Sequence, residues 1–93
     1  MKSFEVKGKV FLWQGDSPWH FVYVPKDLSL RIRDSMGKGF VKVVAKIGKT
    51  SWNTSLFPTK QGPYLISIKA CVRHAESIEA GDTVTIGCKF LHS

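Results

Sequence analysis

The order of elements repeats within this chain, and that repetition limits what the chain can build. Strand, short helix, glycine turn and strand follow one another at Trp19–Ile47 and again at Tyr64–Phe90. An offset of 44 residues sets Val24 on Ile68, Leu28 on Val72 and Gly37 on Gly81. One further strand precedes each unit, Phe4–Leu12 in the first case and Thr50–Phe57 in the second. Two β-β-α-β halves, about 1–46 and 47–93, are therefore expected. Residue identity between the halves is poor, so the repeat lies in the pattern of elements. Two such halves can close a six-stranded barrel and cover edges that one half would leave open.

Each element is read from its period and its breakers. Phe4, Val6, Val10 and Leu12 alternate with Glu5, Lys7 and Lys9, the two-residue period of a half-buried strand. Gly15-Asp16-Ser17-Pro18 is turn chemistry. Trp19–Val24 is dense in aromatic and β-branched residues and ends at Pro25, which suits the first position of a helix over Lys26–Met36. Leu28 and Ile32 share one face of that helix, and Gly37-Lys38-Gly39 ends it. Phe40–Ile47 points Val41, Val43, Ala45 and Ile47 inward and Lys42 and Lys46 outward, and Gly48-Lys49 turns it back into Thr50–Phe57. After Pro58 and the Gly62-Pro63 loop come a strand at Tyr64–Ile68 and a helix over Lys69–Ile78. Beyond the Ala80-Gly81-Asp82 turn lies a last strand, Thr83–Phe90, with Val84, Ile86, Cys88 and Phe90 inward.

With 93 residues and a hydrophobic fraction of 43%, the chain supports one small packed domain and excludes a multidomain enzyme. Cys71 and Cys88 form no C-x-x-C pair and have apolar neighbours, which favours two buried free thiols over a disulfide. The first six residues turn polar at once, without the apolar core of a signal peptide. The longest apolar runs are four-residue stretches such as Phe21-Val22-Tyr23-Val24, far short of the ~20 residues that cross a bilayer. A cytoplasmic protein with no membrane contact is the expectation.

Charge is unevenly spread. Residues 1–34 carry six bases and four acids, and residues 76–93 carry one base and three acids. Residues 35–75 hold Lys38, Lys42, Lys46, Lys49, Lys60, Lys69 and Arg73 and no acid, which is the whole net charge of +7. Lys42 and Lys46 share the outward side of one strand, with Lys38 and Lys49 at its ends, and these four form a candidate nucleic-acid face. Five such lysines on duplex phosphates would give a log–log salt slope near −4 to −5, at about −0.9 per phosphate. Trp13, Trp19, Trp52 and Phe57 offer stacking for single strands. Lysine discriminates sequence poorly, and outward lysines also serve solubility and blunt edge pairing.

A second candidate lies in Trp52-Asn53-Thr54-Ser55-Leu56-Phe57-Pro58. Alternation sends Trp52, Thr54 and Leu56 to one side and Asn53, Ser55 and Phe57 to the other. Trp52 and Leu56 then fill the barrel, or else Trp52, Thr54, Ser55, Phe57 and Arg73 line a polar-aromatic pocket near a barrel end for an anionic ligand or peptide terminus. His20, His74 and His92 stand in no metal or general-base motif, Gly37-Lys38-Gly39 lacks phosphate-loop spacing, and no nucleophile elbow is present. No catalytic residue, metal or cofactor is therefore expected.

The second half, from Ile66-Ser67-Ile68 through Val72-Arg73 to Gly81-Asp82-Thr83-Val84, is similar to the strand–helix–Gly-Asp–strand signature of AbrB/MazE-type swapped-hairpin barrels. Those proteins build a double-split β-barrel from two chains, whereas both halves are fused here. Over Phe4–Phe90 the chain more closely resembles an uncharacterised bacterial domain-of-unknown-function family with that barrel. The match rests on Trp19-His20-Phe21-Val22-Tyr23-Val24-Pro25, on Trp52-Asn53-Thr54-Ser55-Leu56-Phe57-Pro58, and on Val72-Arg73 followed by Gly81-Asp82. Members of that family are sometimes joined to a YdeI/OmpD-associated bacteriocin-protection domain, which this sequence lacks. The resemblance implies a mostly β, six-stranded double-split barrel with two short helices, and it implies no activity. The expectation is thus a monomeric, non-catalytic binding module for a protein or small anionic ligand, with nucleic-acid binding through residues 35–75 as the alternative.

Overall fold

Strict alternation of apolar and polar residues builds most of this protein, and two segments among the described residues break it with a helical period. The computed structural model describes residues 2–13, 19–37 and 39–91. The expected turn at Gly15-Asp16-Ser17-Pro18, Lys38 and His92 lie outside the described residues. In chain order the elements are β1 (Ser3–Lys9), β2 (Phe11–Trp13), β3 (Trp19–Tyr23), α1 (Lys26–Met36), β4 (Val41–Ile47), β5 (Thr50–Phe57), β6 (Leu65–Ser67), α2 (Ala70–Glu76) and β7 (Thr83–Phe90). The strands form one antiparallel sheet in the order β1-β7-β4-β5-β6-β3-β2, curled into a half-barrel.

Among the described residues seven strands stand where six are expected, because Phe4–Leu12 does not run as one. It breaks at Val10, whose N–H donates to Asp82 O at 2.8 Å and whose carbonyl accepts from Gly81 N–H at 2.7 Å. The part before the break pairs with β7 and the part after it pairs with β3, so the first and last strands of the sheet order are neighbours in the chain. Leu12, expected to point inward, is exposed where it pairs with His20 near the end of the two short strands β2 and β3.

Several hydrogen bonds and strand pairs are related by a shift of 44 residues. Val24 N–H donates to Tyr64 O at 2.8 Å, and Ile68 N–H donates to His20 O at 2.9 Å; a shift of 44 residues exchanges the two bonds. The same shift exchanges Phe21↔Ser67 with Tyr23↔Leu65 between β3 and β6, and Val43↔Phe90 with Lys46↔Gly87 between β4 and β7. Ser29 Oγ donates to Val24 O at 3.1 Å, and its counterpart Arg73 donates from Nε to Ile68 O at 3.4 Å. Two chemically different residues thus hold carbonyls at positions 44 residues apart.

The core lies inside the curl. Val6, Val22, Val43, Ala45, Leu56, Ile66 and Ile86 lose all contact with solvent on the inner face, and α1 and α2 add Ile32 and Val72. Pro25 precedes α1 as its N-cap rather than opening it, one residue earlier than expected. Helix α2 also stops two residues early. Ser77 takes a left-handed conformation (φ 54°), Ile78 N–H closes the end on Arg73 O at 2.8 Å, and the Ile78 side chain turns into the core. That closure is the familiar way for a helix to satisfy its last carbonyls. In the β4–β5 turn Gly48 has φ 58°, and an added Cβ would run into the Glu76 carboxylate, which accepts a 2.6 Å hydrogen bond from Thr50 Oγ1. The left-handed turn favours glycine, and any larger residue would also push the Glu76 carboxylate aside.

Both cysteines are free, but only Cys88 is buried; Cys71 lies exposed on α2 beside buried Val72. Burial pushes the Cys88 thiol up to about 12, so it stays protonated and inert at neutral pH. A thiol reagent such as Ellman's is expected to label Cys71 alone in the native protein, and Cys88 only after denaturant is added. Rapid native labelling of a Cys71→Ser variant would contradict this packing.

Candidate binding face

The five pocket candidates do not gather in one place, although two of them meet at Ser67. Trp52 is buried on the inner face, and its indole Nε1 donates to Ser67 O at 3.3 Å. Thr54 lies within hydrogen-bond distance of the same residue, Oγ1 to Ser67 Oγ at 3.2 Å. These two side chains tie β5 to the end of β6 where the strands part. Ser55 and Phe57 are half-buried on the opposite side of β5. Arg73 is half-buried on α2 with Nε on Ile68 O. The alternation of one strand thus divides the set between the two faces of the sheet.

The lysine candidates are arranged more coherently. Lys42 and Lys46 are exposed on the outward side of β4, opposite Ser55 and Ser51 of β5, and Lys49 is exposed in the β4–β5 turn. On the other side of β4 the register places Lys89 of β7 beside Val44, adding a base that the acidic balance of residues 76–93 conceals. Glu5 faces the same way from β1, opposite Gly87. A groove of about 600 Å³ runs here, with Glu5, Lys46, Ser51 and Lys89 among its lining residues.

Across the rest of the outer face runs a band of aromatic rings. Trp13 pairs with Trp19, Phe11 with Phe21, and Leu65 with both Tyr23 and Phe57, so all of these point outward together. Phe11 and Tyr23 stack at 4.8 Å between centroids. Trp19 and Phe21 lie 6.0 Å apart with their planes 7° from parallel. Phe57 meets Phe21 edge-on at 6.0 Å and Phe40 at 5.3 Å. Trp13, Trp19 and Tyr23 are each about half exposed, and Phe40 is 69% exposed. A second groove, again of about 600 Å³, is lined by Trp13, Trp19, Phe21, Tyr23, Phe57 and Lys60 among others.

The sequence names Trp13, Trp19 and Phe57 of this band but not Phe11, Phe21, Tyr23 or Phe40. The available signal is that Trp19-His20-Phe21-Val22-Tyr23 is apolar on both of its alternating faces. In a curled sheet only one face of a strand can point into the core, so the other ring-bearing face must be exposed or covered by something else.

Inside, two polar atoms are buried with no hydrogen-bond partner among the described residues, His20 Nδ1 and Tyr64 Oη, at positions related by the 44-residue shift. Burial, and then the Arg73 guanidinium, hold the His20 imidazole below its ordinary value. Among the described residues no three His, Cys, Asp or Glu side chains cluster to hold a metal ion. No helix among them is long and apolar enough to cross a membrane.

A half-barrel with a packed interior and an aromatic, lysine-flanked exterior is the architecture of this chain. The family model for DUF1905, a domain of unknown function, matches residues 7–87, so the chain belongs to that family. No curated protein matches it.

Proposed function

We propose that this protein is a non-catalytic binding module whose ligand docks on the aromatic outer face and carries negative charge and flat rings. The observation that carries the reading is the contiguous band of rings outside a core that is already filled. Burial of apolar surface is worth roughly 25 cal/mol per Å², and contiguous exposed apolar patches on soluble proteins mark interaction sites. Charge sets the ligand's sign: Lys60 lines the aromatic groove, Lys42 lies beside it, and no carboxylate lines it among the described residues. The scaffold is proposed to be a six-stranded double-split barrel, similar to AbrB/MazE-type barrels but formed by one monomeric chain. In that barrel, residues 3–13 count as one bent strand joining the two ends of the sheet. The exchangeable hydrogen bonds and the adjacency of β1 and β2 support this reading.

A ¹H–¹⁵N titration with adenosine monophosphate, phenyl phosphate and an acidic tryptophan-containing peptide tests the assignment. The indole N–H signals of Trp13 and Trp19 are expected to shift while that of Trp52, bonded to Ser67 O, stays in place. No response of either exposed indole to any of the three probes would remove the proposed face.

A further inference from the structure

Resting on that reading of the outer face, we infer that its ligand is single-stranded nucleic acid, bound by stacking on the ring band with its phosphates on the lysines of β4 and β7. Stacking needs exposed flat partners at the repeat of an extended strand of bases. Trp19 and Phe21 are alternate residues of one strand, about 6.6 Å apart along the backbone, and their rings are 7° from parallel. Phe21 is itself buried and backs the row, so the platforms open to bases are the half-exposed rings of Trp13 and Trp19. Tyr23 continues the row, and Phe57 and Phe40 extend it across β6 and β5 towards Lys42. Any base presents a π-face, so such a row is tolerant of sequence.

The charges complete the match. Lys60 stands in the groove, Lys42 and Lys46 follow on β4, and Lys89 on β7 lies one strand further. Glu5 on β1 faces Lys46 across Gly87 and lines the same groove as Lys46 and Lys89, so it offsets part of their charge, while it stands at the far end of the strand order from the rings, where Lys60 and Lys42 lie. All four bases are lysines, point charges suited to phosphate rather than to bidentate reading of base edges. A duplex is the poorer ligand because its base faces are already stacked inside it. An acidic peptide supplies charge but few rings for this many platforms. A second copy of the chain would set these lysines against one another.

Fluorescence polarisation of labelled oligo-dT about 12 nucleotides long, within the usual span of single-strand sites, is the direct test. Binding is expected to weaken with salt at a log–log slope of about −3, from four lysines at roughly −0.7 per single-strand phosphate. Trp19→Ala is expected to weaken it by about 5- to 100-fold, the usual range for one lost stacking platform. Lys42→Glu with Lys46→Glu is expected to cost at least about tenfold at low salt, and a matched duplex is expected to bind at least about tenfold more weakly than the single strand. Titrating unlabelled oligo-dT into the unmutated protein should move the Trp13 and Trp19 indole signals, a readout independent of any variant.

Unchanged affinity in Trp19→Ala and Trp13→Ala, or equal binding of duplex and heparin, would overturn the inference. So would a dimer that Trp19→Ala dissolves, since a second copy would then occupy the face. If the small ring-bearing anions move the indoles and oligo-dT does not, the binding face stands and the nucleic-acid ligand falls. If neither does, both fall.

Discussion

Trp52→Ala is expected to lower the free energy of unfolding by about 3–5 kcal/mol, the range for truncating a large buried aromatic side chain. Domains of this size hold about 5–10 kcal/mol in total, so the variant should sit near the edge of folding at 37 °C. The reason is position. Trp52 is 6% exposed on the inner face of β5, and its indole N–H reaches Ser67 O across the gap where β5 and β6 separate. Truncation leaves a cavity in the single core and an unpaired buried carbonyl. Trp52→Phe keeps most of the apolar volume and should cost about 1–2 kcal/mol, mainly the lost hydrogen bond. Trp19→Ala offers the contrast, because that ring is 47% exposed and its loss should cost under about 1 kcal/mol. Urea denaturation followed by far-ultraviolet circular dichroism distinguishes the three variants. A wild-type midpoint for Trp52→Ala would mean that this indole does not hold the core together, and would return it to the list of ligand-binding residues.

That contrast shows what the sequence discloses about a site. Strands β4, β5 and β7 and helix α1 are readable to within a residue because one face of each is buried and the other wet, so burial writes its period directly into the chain. The break at Val10 is not readable, since the alternation of Phe4, Val6, Val10 and Leu12 passes straight through it. It is imposed by Gly81 and Asp82, more than 70 residues away. The end of α2 escapes for a similar reason: Ile78 continues the helical stripe of Val72 and Ala75, yet reaches the core only after the left-handed turn at Ser77. Function is less legible than fold. Trp52 and Trp19 are the same residue type in similar strands, and only the pairing register shows that one faces the core and the other water. Lys89 belongs with Lys42 and Lys46 through the β4–β7 register, although its own segment carries net negative charge.

Ser29→Ala is expected to destabilise the protein by about 2–4 kcal/mol, although alanine is the better helix former by a few tenths of a kcal/mol. Ser29 lies in the first turn and a half of α1 and is 2% exposed. Its hydroxyl donates to Val24 O at 3.1 Å and accepts from Tyr64 N–H at 3.1 Å, so one side chain satisfies a carbonyl from the end of β3 and an amide from the approach to β6. Removing it strands two buried backbone groups, each worth about 1–3 kcal/mol of desolvation, with no room in the packed core for a replacement side chain. The measurement is the urea midpoint together with amide hydrogen exchange at Tyr64, which should accelerate in the variant more than exchange in the β4–β5 hairpin. A wild-type midpoint would show that Val24 O and Tyr64 N–H find other partners. The residue 44 positions further on supplies the control. Arg73, the counterpart of Ser29, reaches Ile68 O over a longer 3.4 Å and is only half-buried, so water can take its place. Arg73→Ala should therefore cost under about 1 kcal/mol, as for other partly exposed substitutions. A large loss in both variants would mean that the fold depends equally on these two bonds, whereas a large loss in Ser29→Ala alone ties the stability of the half-barrel to the buried one.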